Sequence, residues 1–152
     1  MKIIGTFGLV LAVMFTSIAL AEVPIEGYWK SIDDETNEAT AYWKIEIEND
    51  QLLGYIVNYP NAKVDDVCVA CKGDLSSFFE KPVKGTPWLN LSKLKGNEWQ
   101  DGYIIDSGKG EKYKAKVWLE DNKLMMRGYV GFFYRTQIWQ RAEQAEAEQG
   151  LF

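Results

Sequence analysis

The stretch from Glu98 to Arg141, EWQDGYIIDSGKGEKYKAKVWLEDNKLMMRGYVGFFYRTQIWQR, leaves a chain few ways to fold. In KYKAKVWLE the residues Tyr113, Ala115, Val117 and Leu119 alternate with Lys112, Lys114, Lys116 and Glu120. This is the period of two expected of a strand with one buried and one wetted face. Only Trp118 interrupts the polar side. The stretch is broken at Ser107-Gly108-Lys109-Gly110, at Asp121-Asn122 and at Gly131 into four short strands. These are residues that tolerate the positive φ of tight reversals. Strands joined by such short connections are antiparallel neighbours, because a parallel crossover needs about a dozen residues or more. The stretch is therefore expected to be a β-meander.

The preceding sequence extends it. Gly27-Tyr28-Trp29-Lys30-Ser31-Ile32 reads as a first strand, and 40–48 as a second in which Ala41, Trp43, Ile45 and Ile47 alternate with Tyr42, Lys44, Glu46 and Glu48. Asn49-Asp50 turns the chain into a third strand, 51–59, where Gly54 marks a bulge or a point of close backbone approach. A fourth strand covers 88–94, and Gly96-Asn97 leads into the meander. Eight sequential antiparallel strands close into an all-β up-and-down barrel, which has no sheet edges and whose interior is packed solid or holds one small ligand. An open sandwich is the alternative.

The termini bound the domain. Residues 1–21 pair an early Lys2 with the apolar run 3–20 and end in Ala19-Leu20-Ala21, the pattern of a cleaved signal peptide with a small-x-small cleavage site. A membrane anchor is the competing reading, since the run approaches the roughly 20 residues of a spanning helix. The immediate change to strand-like sequence favours cleavage, so the mature form is expected to be periplasmic, or secreted, with no integral membrane segment. Residues 22–141 then form a single barrel domain. The polar tail 142–152 reads as a frayed helical turn or disorder.

Composition excludes several functions. The net charge is −5, with no basic stripe, which argues against nucleic-acid binding. There is no histidine, so no Ser-His-Asp or Cys-His arrangement can be built. Carboxylate-only chemistry would fall to Glu98, Asp101 and Asp106, which lie beside turns, where acidic side chains usually cap backbone amides. No enzyme activity and no cofactor are expected. For Cys68-Val69-Ala70-Cys71 three readings compete: a structural disulfide, a redox pair, and half of a metal site completed by carboxylates such as Asp65, Asp66 and Asp74. Export favours the disulfide, and no metal site is expected.

Gly27-x-Trp29 on a first strand of an eight-strand meander looks like the calycin pattern of lipocalins and fatty-acid-binding proteins. A chain-wide set of motifs is more specific: Cys68-x-x-Cys71-Lys72-Gly73, Trp99-x-Asp101-Gly102-x-Ile104, Gly110-x-x-Tyr113-x-Ala115, Leu124-x-x-Arg127-Gly128-Tyr129-Val130-Gly131 and Arg135-Thr136-Gln137-x-Trp139. Together they resemble the DUF2147 family of exported bacterial proteins. The resemblance implies a lipocalin-like barrel with no assigned catalytic residues. It also implies that Trp29 plugs one barrel end beneath an arginine from a late strand, with Arg127 ahead of Arg135.

Aromatic residues carry the remaining signal. Trp29, Trp43, Tyr103, Tyr113, Phe132 and Tyr134 are read as inward-facing, with Arg127 and Arg135 as the polar contacts of a barrel-interior ligand site. Small residues on the same faces, Gly54, Ala115 and Gly128 among them, would open the space. Two functions follow. One is a monomeric periplasmic binder of a small, largely apolar, lipid-derived ligand. The other is a non-enzymatic envelope-accessory or protein-interaction module with a solid core, acting through exposed Tyr42, Trp118 and Trp139 and the irregular segment 61–87.

Overall fold

A computed structural model describes residues 23–150 and 152. The expected signal peptide, 1–21, lies outside the described residues. Eight antiparallel strands, β1 (Gly27–Ile32), β2 (Ala39–Glu48), β3 (Gln51–Asn58), β4 (Pro87–Lys95), β5 (Glu98–Asp106), β6 (Glu111–Glu120), β7 (Lys123–Val130) and β8 (Phe133–Arg141), follow one another around a closed barrel. Pairing of Trp29 with Arg141 and of Ser31 with Trp139 joins β1 to β8 and removes the last edge. At one end the hairpins turn through Asn49-Asp50 and Asp121-Asn122, all four residues at positive φ. That is the backbone a two-residue turn needs to match the twist of its strands.

Register decides which side chains meet. Trp29 lies opposite Trp43, Trp43 opposite Ile56, Gly54 opposite Leu89, and Leu89 opposite Ile104. Ala115 lies opposite Gly128, and Val117 opposite Met126. Pairing of β3 with β4 shifts at Gly54/Tyr55, the irregularity that Gly54 announces in the sequence.

Segment 61–87 is a wall, not a free loop. It contains a 3₁₀ turn, Gly73–Phe78, and adds Cys68, Cys71, Leu75 and Val83 to the main buried cluster. Trp88 anchors it, donating from Nε1 to the Val83 carbonyl at 2.6 Å. Cys68 and Cys71 form a disulfide. Its loop is seated on the β5–β6 turn so closely that a Cβ at Gly110 would come within 2.1 Å of the Ala70 carbonyl oxygen.

The tail differs from expectation. α1 (Gln144–Gln149) is docked, with Ala142 and Ala147 buried against Tyr42. Tyr42 donates to Glu146 Oε1 at 2.8 Å, and Lys30 forms an ion pair with the same carboxylate. Its apolar surface is small because alanines suffice where one tyrosine ring supplies the area.

Candidate functional site

The two barrel ends are built differently. At the end where the chain enters, Trp29 is completely buried. Its Nε1 donates to the Ile25 carbonyl at 2.8 Å, and the Arg141 guanidinium lies 4.9 Å from its ring. Arg141 Nη1 also donates to the carbonyls of Pro24 (2.9 Å) and Glu26 (2.8 Å), pinning the incoming chain across the opening. Gly27 is required there: it sits at φ 119°, and a Cβ would come within 2.5 Å of Arg141 Nη2. The plug is as expected, but its arginine is neither Arg127 nor Arg135. Closure of the barrel aligns Trp29 with the last residue of β8, whereas Arg135 pairs with Gly128 nearer the other end.

Above this plug the barrel is solid. A Cβ at Gly54 would lie 2.8 Å from Leu89 Cβ and 3.0 Å from Ile45 Cδ1, so the glycine admits its neighbours and opens nothing. Ala115 is likewise enclosed. The expectation that Gly54 and Ala115 open a cavity is corrected by this packing.

Towards the other end the interior opens into a cavity of about 510 Å³. Its floor is a stacked pair, Trp43 and Trp139, with centroids 4.9 Å apart. Ile56, Ile104 and Met126 form apolar walls, and Ala41 and Gly128 provide the room. A Cβ at Gly128 would find no atom nearer than Tyr113 Cβ at 3.9 Å. Both indole N–H groups are held by the wall. Trp43 donates to Ser31 Oγ at 3.3 Å, itself 2.7 Å from Thr40 Oγ1, and Trp139 donates to Gln137 Oε1 at 3.3 Å.

Charge is confined to the rim. Arg135 Nε donates to Asp34 Oδ1 at 2.8 Å and its Nη2 also reaches Asp33, tying the β1–β2 loop to β8. Arg135 holds the Asp34 carboxyl below its ordinary range. The Asp33 carboxyl is lowered chiefly by the Thr36 and Glu35 amides of its own turn. Tyr113 donates to Glu111, which together with burial pushes its phenol up to about 12. Asp106 Oδ1 accepts from the amides of Gly108 (3.0 Å) and Lys109 (3.1 Å), capping its own turn.

The site residues expected from sequence separate accordingly. Trp43, Tyr113, Tyr134 and Arg135 border the cavity, and Trp29 forms the far plug. Tyr103 is elsewhere: paired with Asn90 and meeting Phe78 edge-on at 6.4 Å, it lies under segment 61–87. Arg127 is on the outer face, over the rings of Tyr134 (4.3 Å) and Trp118 (5.0 Å). Phe132 is fully exposed at the β7–β8 turn instead of facing inward. Of the three aromatics expected on the surface, Tyr42 and Trp139 are buried. Ser31, Gln137 and Arg141 were missed. All three alternate in step with residues read as inward, Ser31 with Trp29 and the other two with Arg135, and that parity is the signal the sequence holds.

Comparison with known proteins agrees with this geometry. The family described as "Uncharacterized protein conserved in bacteria (DUF2147)" matches residues 27–141, the whole barrel, and the chain belongs to it. The barrel is similar to the structure of HP1028 from the human pathogen Helicobacter pylori, described as belonging to the lipocalin family. That likeness has a TM-score of 0.67 at 15% identity and covers 84% of this chain and 88% of that one. A mutant of the fluorescent protein UnaG aligns with a TM-score of 0.45 at 16% identity, over 79% of this chain and 97% of that one. No curated protein matches.

Proposed function

We propose that this DUF2147 barrel is an exported, periplasmic carrier that holds one small, largely apolar, lipid-derived ligand in its open half. The observation that carries this reading is the cavity of about 510 Å³ between the Trp43–Trp139 floor and the charged rim. Its volume falls within the roughly 300–1,000 Å³ typical of small-molecule sites, which are mainly apolar with a few placed polar groups. An apolar body would lie on the stacked indoles and against Ile56, Ile104 and Met126, and a polar end would meet Gln137, Ser31 or the rim.

Binding is favoured over catalysis by the state of the titratable groups. Asp106, Tyr113 and Arg135 are each engaged by a partner of their own, the Gly108 and Lys109 amides, Glu111 and Asp34 respectively. The interaction-module reading with a solid core is disfavoured by the open half itself.

Native mass spectrometry of protein purified gently from its host is the test. A folded protein carrying a single small-molecule adduct, released by organic extraction, is the expected result. Protein free of any adduct that also takes up no hydrophobic probe would count against the carrier.

A further inference from the structure

The β7–β8 hairpin ends in a feature that neither the barrel core nor the cavity explains. Between Arg127 and Arg135 the chain reads Gly-Tyr-Val-Gly-Phe-Phe-Tyr, seven residues without a charge. Phe132 and Phe133 at its tip have relative exposures of 103% and 80%, and Val130 beside them is also exposed. Phenylalanine side chains present on the order of 150 Å² each or more. Two together therefore approach the few hundred Å² beyond which an apolar patch on a soluble monomer marks a contact surface. Turn tips are ordinarily polar because their backbone faces water, so these rings do not serve the turn.

Behind the tip the chemistry is graded. Tyr129 and Tyr134 pair across the hairpin, with ring centroids 6.1 Å apart. One step further on the outer face, Arg127 lies over Tyr134 and beside Trp118. Its Nε donates to Thr136 at 2.8 Å, and among the described residues no carboxylate pairs with it. Apolar rings foremost, tyrosines behind them and an unpaired guanidinium behind those is the order in which a bilayer presents acyl chain, interface and phosphate. The tip is also continuous with the cavity, since Val130, Phe133 and Tyr134 form part of its lining.

We infer that the β7–β8 hairpin is a membrane-docking wedge: Phe132 and Phe133 enter the headgroup–acyl boundary of a phospholipid surface, and Arg127 meets lipid phosphate. The barrel mouth then faces the bilayer, so an apolar ligand could move between lipid and cavity without crossing water. The neighbouring β1–β2 loop, tied to β8 by Arg135, carries three carboxylates, Asp33, Asp34 and Glu35, against that one arginine, and this local negative excess repels anionic headgroups. Docking is therefore directed to zwitterionic lipid. The inference does not depend on the cavity being filled.

Flotation of the folded protein with phosphatidylcholine vesicles tests it, alongside vesicles containing added phosphatidylglycerol. Wild type is expected to float with phosphatidylcholine. The double variant Phe132→Ser/Phe133→Ser should lose about tenfold or more in partitioning while its unfolding transition is unchanged, because both rings are exposed and transfer of each is worth more than a factor of ten. Arg127→Gln should weaken binding less. In Phe132→Trp the added indole should be quenched by brominated acyl chains above the wild-type background. Wild type that stays with neither vesicle would overturn the inference, as would serine variants that bind undiminished. A concentration-dependent dimer in sedimentation, abolished by the serine pair, would also overturn it by assigning the tip to a second copy of the chain.

Discussion

The two halves of the barrel interior are made from the same kinds of residue and behave in opposite ways. Each has an inward glycine among large apolar side chains. At Gly54, Leu89 and Ile45 advance to within contact of where a Cβ would be, and the space is consumed. At Gly128 no neighbour advances, because its strand partners are Ala115 and Arg135, one too short to fill the gap and the other drawn out to Asp34 at the rim. A small residue makes a cavity only where the side chains facing it cannot follow, which is a property of register and not of composition.

The comparison can be attacked first at the sealed end. Trp29→Ala should destabilise the fold by about 3–5 kcal/mol, through lost burial and a residual cavity, measured as a shifted denaturant midpoint. A loss below about 1 kcal/mol would mean that the plug is ornamental.

Two arginines on β8 sharpen the contrast. Arg141 holds Trp29 and two carbonyls and should cost about 1–2 kcal/mol on change to Met. Arg135, in an exposed ion pair at the rim, should cost no more than about 1 kcal/mol. The smallest effect is one of pH. Asp34 has its carboxyl lowered by Arg135, so its contribution is present above the ordinary value of 3.8 and is lost as pH falls through the lowered one. Exchange of a bound probe should be flat from neutrality to near pH 4 and quicken below it, while the Arg141 contacts, made to uncharged carbonyls and a ring, stay as they are. Stopped-flow displacement across that range reports both.

Much of this was legible in the chain. Alternation in β2 and β6 and paired turn residues such as Asn49-Asp50 led to the barrel because each is a local signal, and the plug followed from the calycin resemblance that Gly27-x-Trp29 carries. What escaped depends on closure or on covering elements. Arg141 meets Trp29 only through the β1–β8 pairing, which no local pattern encodes. Tyr42 and Tyr103 read as exposed or inward because the surfaces that cover them, α1 and segment 61–87, come from distant irregular sequence. In β7 both faces carry apolar residues, so parity could not show that Arg127 and Tyr129 stand outside.

Titration of a hydrophobic fluorescent probe into wild type, Gly128→Leu and Gly54→Leu bears most directly on the central claim. Wild type should bind with about micromolar affinity, near −8 kcal/mol. Gly128→Leu should fold normally and lose about tenfold or more of that affinity, because the new side chain occupies the cavity. Gly54→Leu should lose about 1–3 kcal/mol of stability from overpacking, and whatever remains folded should bind as wild type does. Equal affinity in wild type and Gly128→Leu, or a loss confined to Gly54→Leu, would contradict the division of the barrel into a sealed half and an open one.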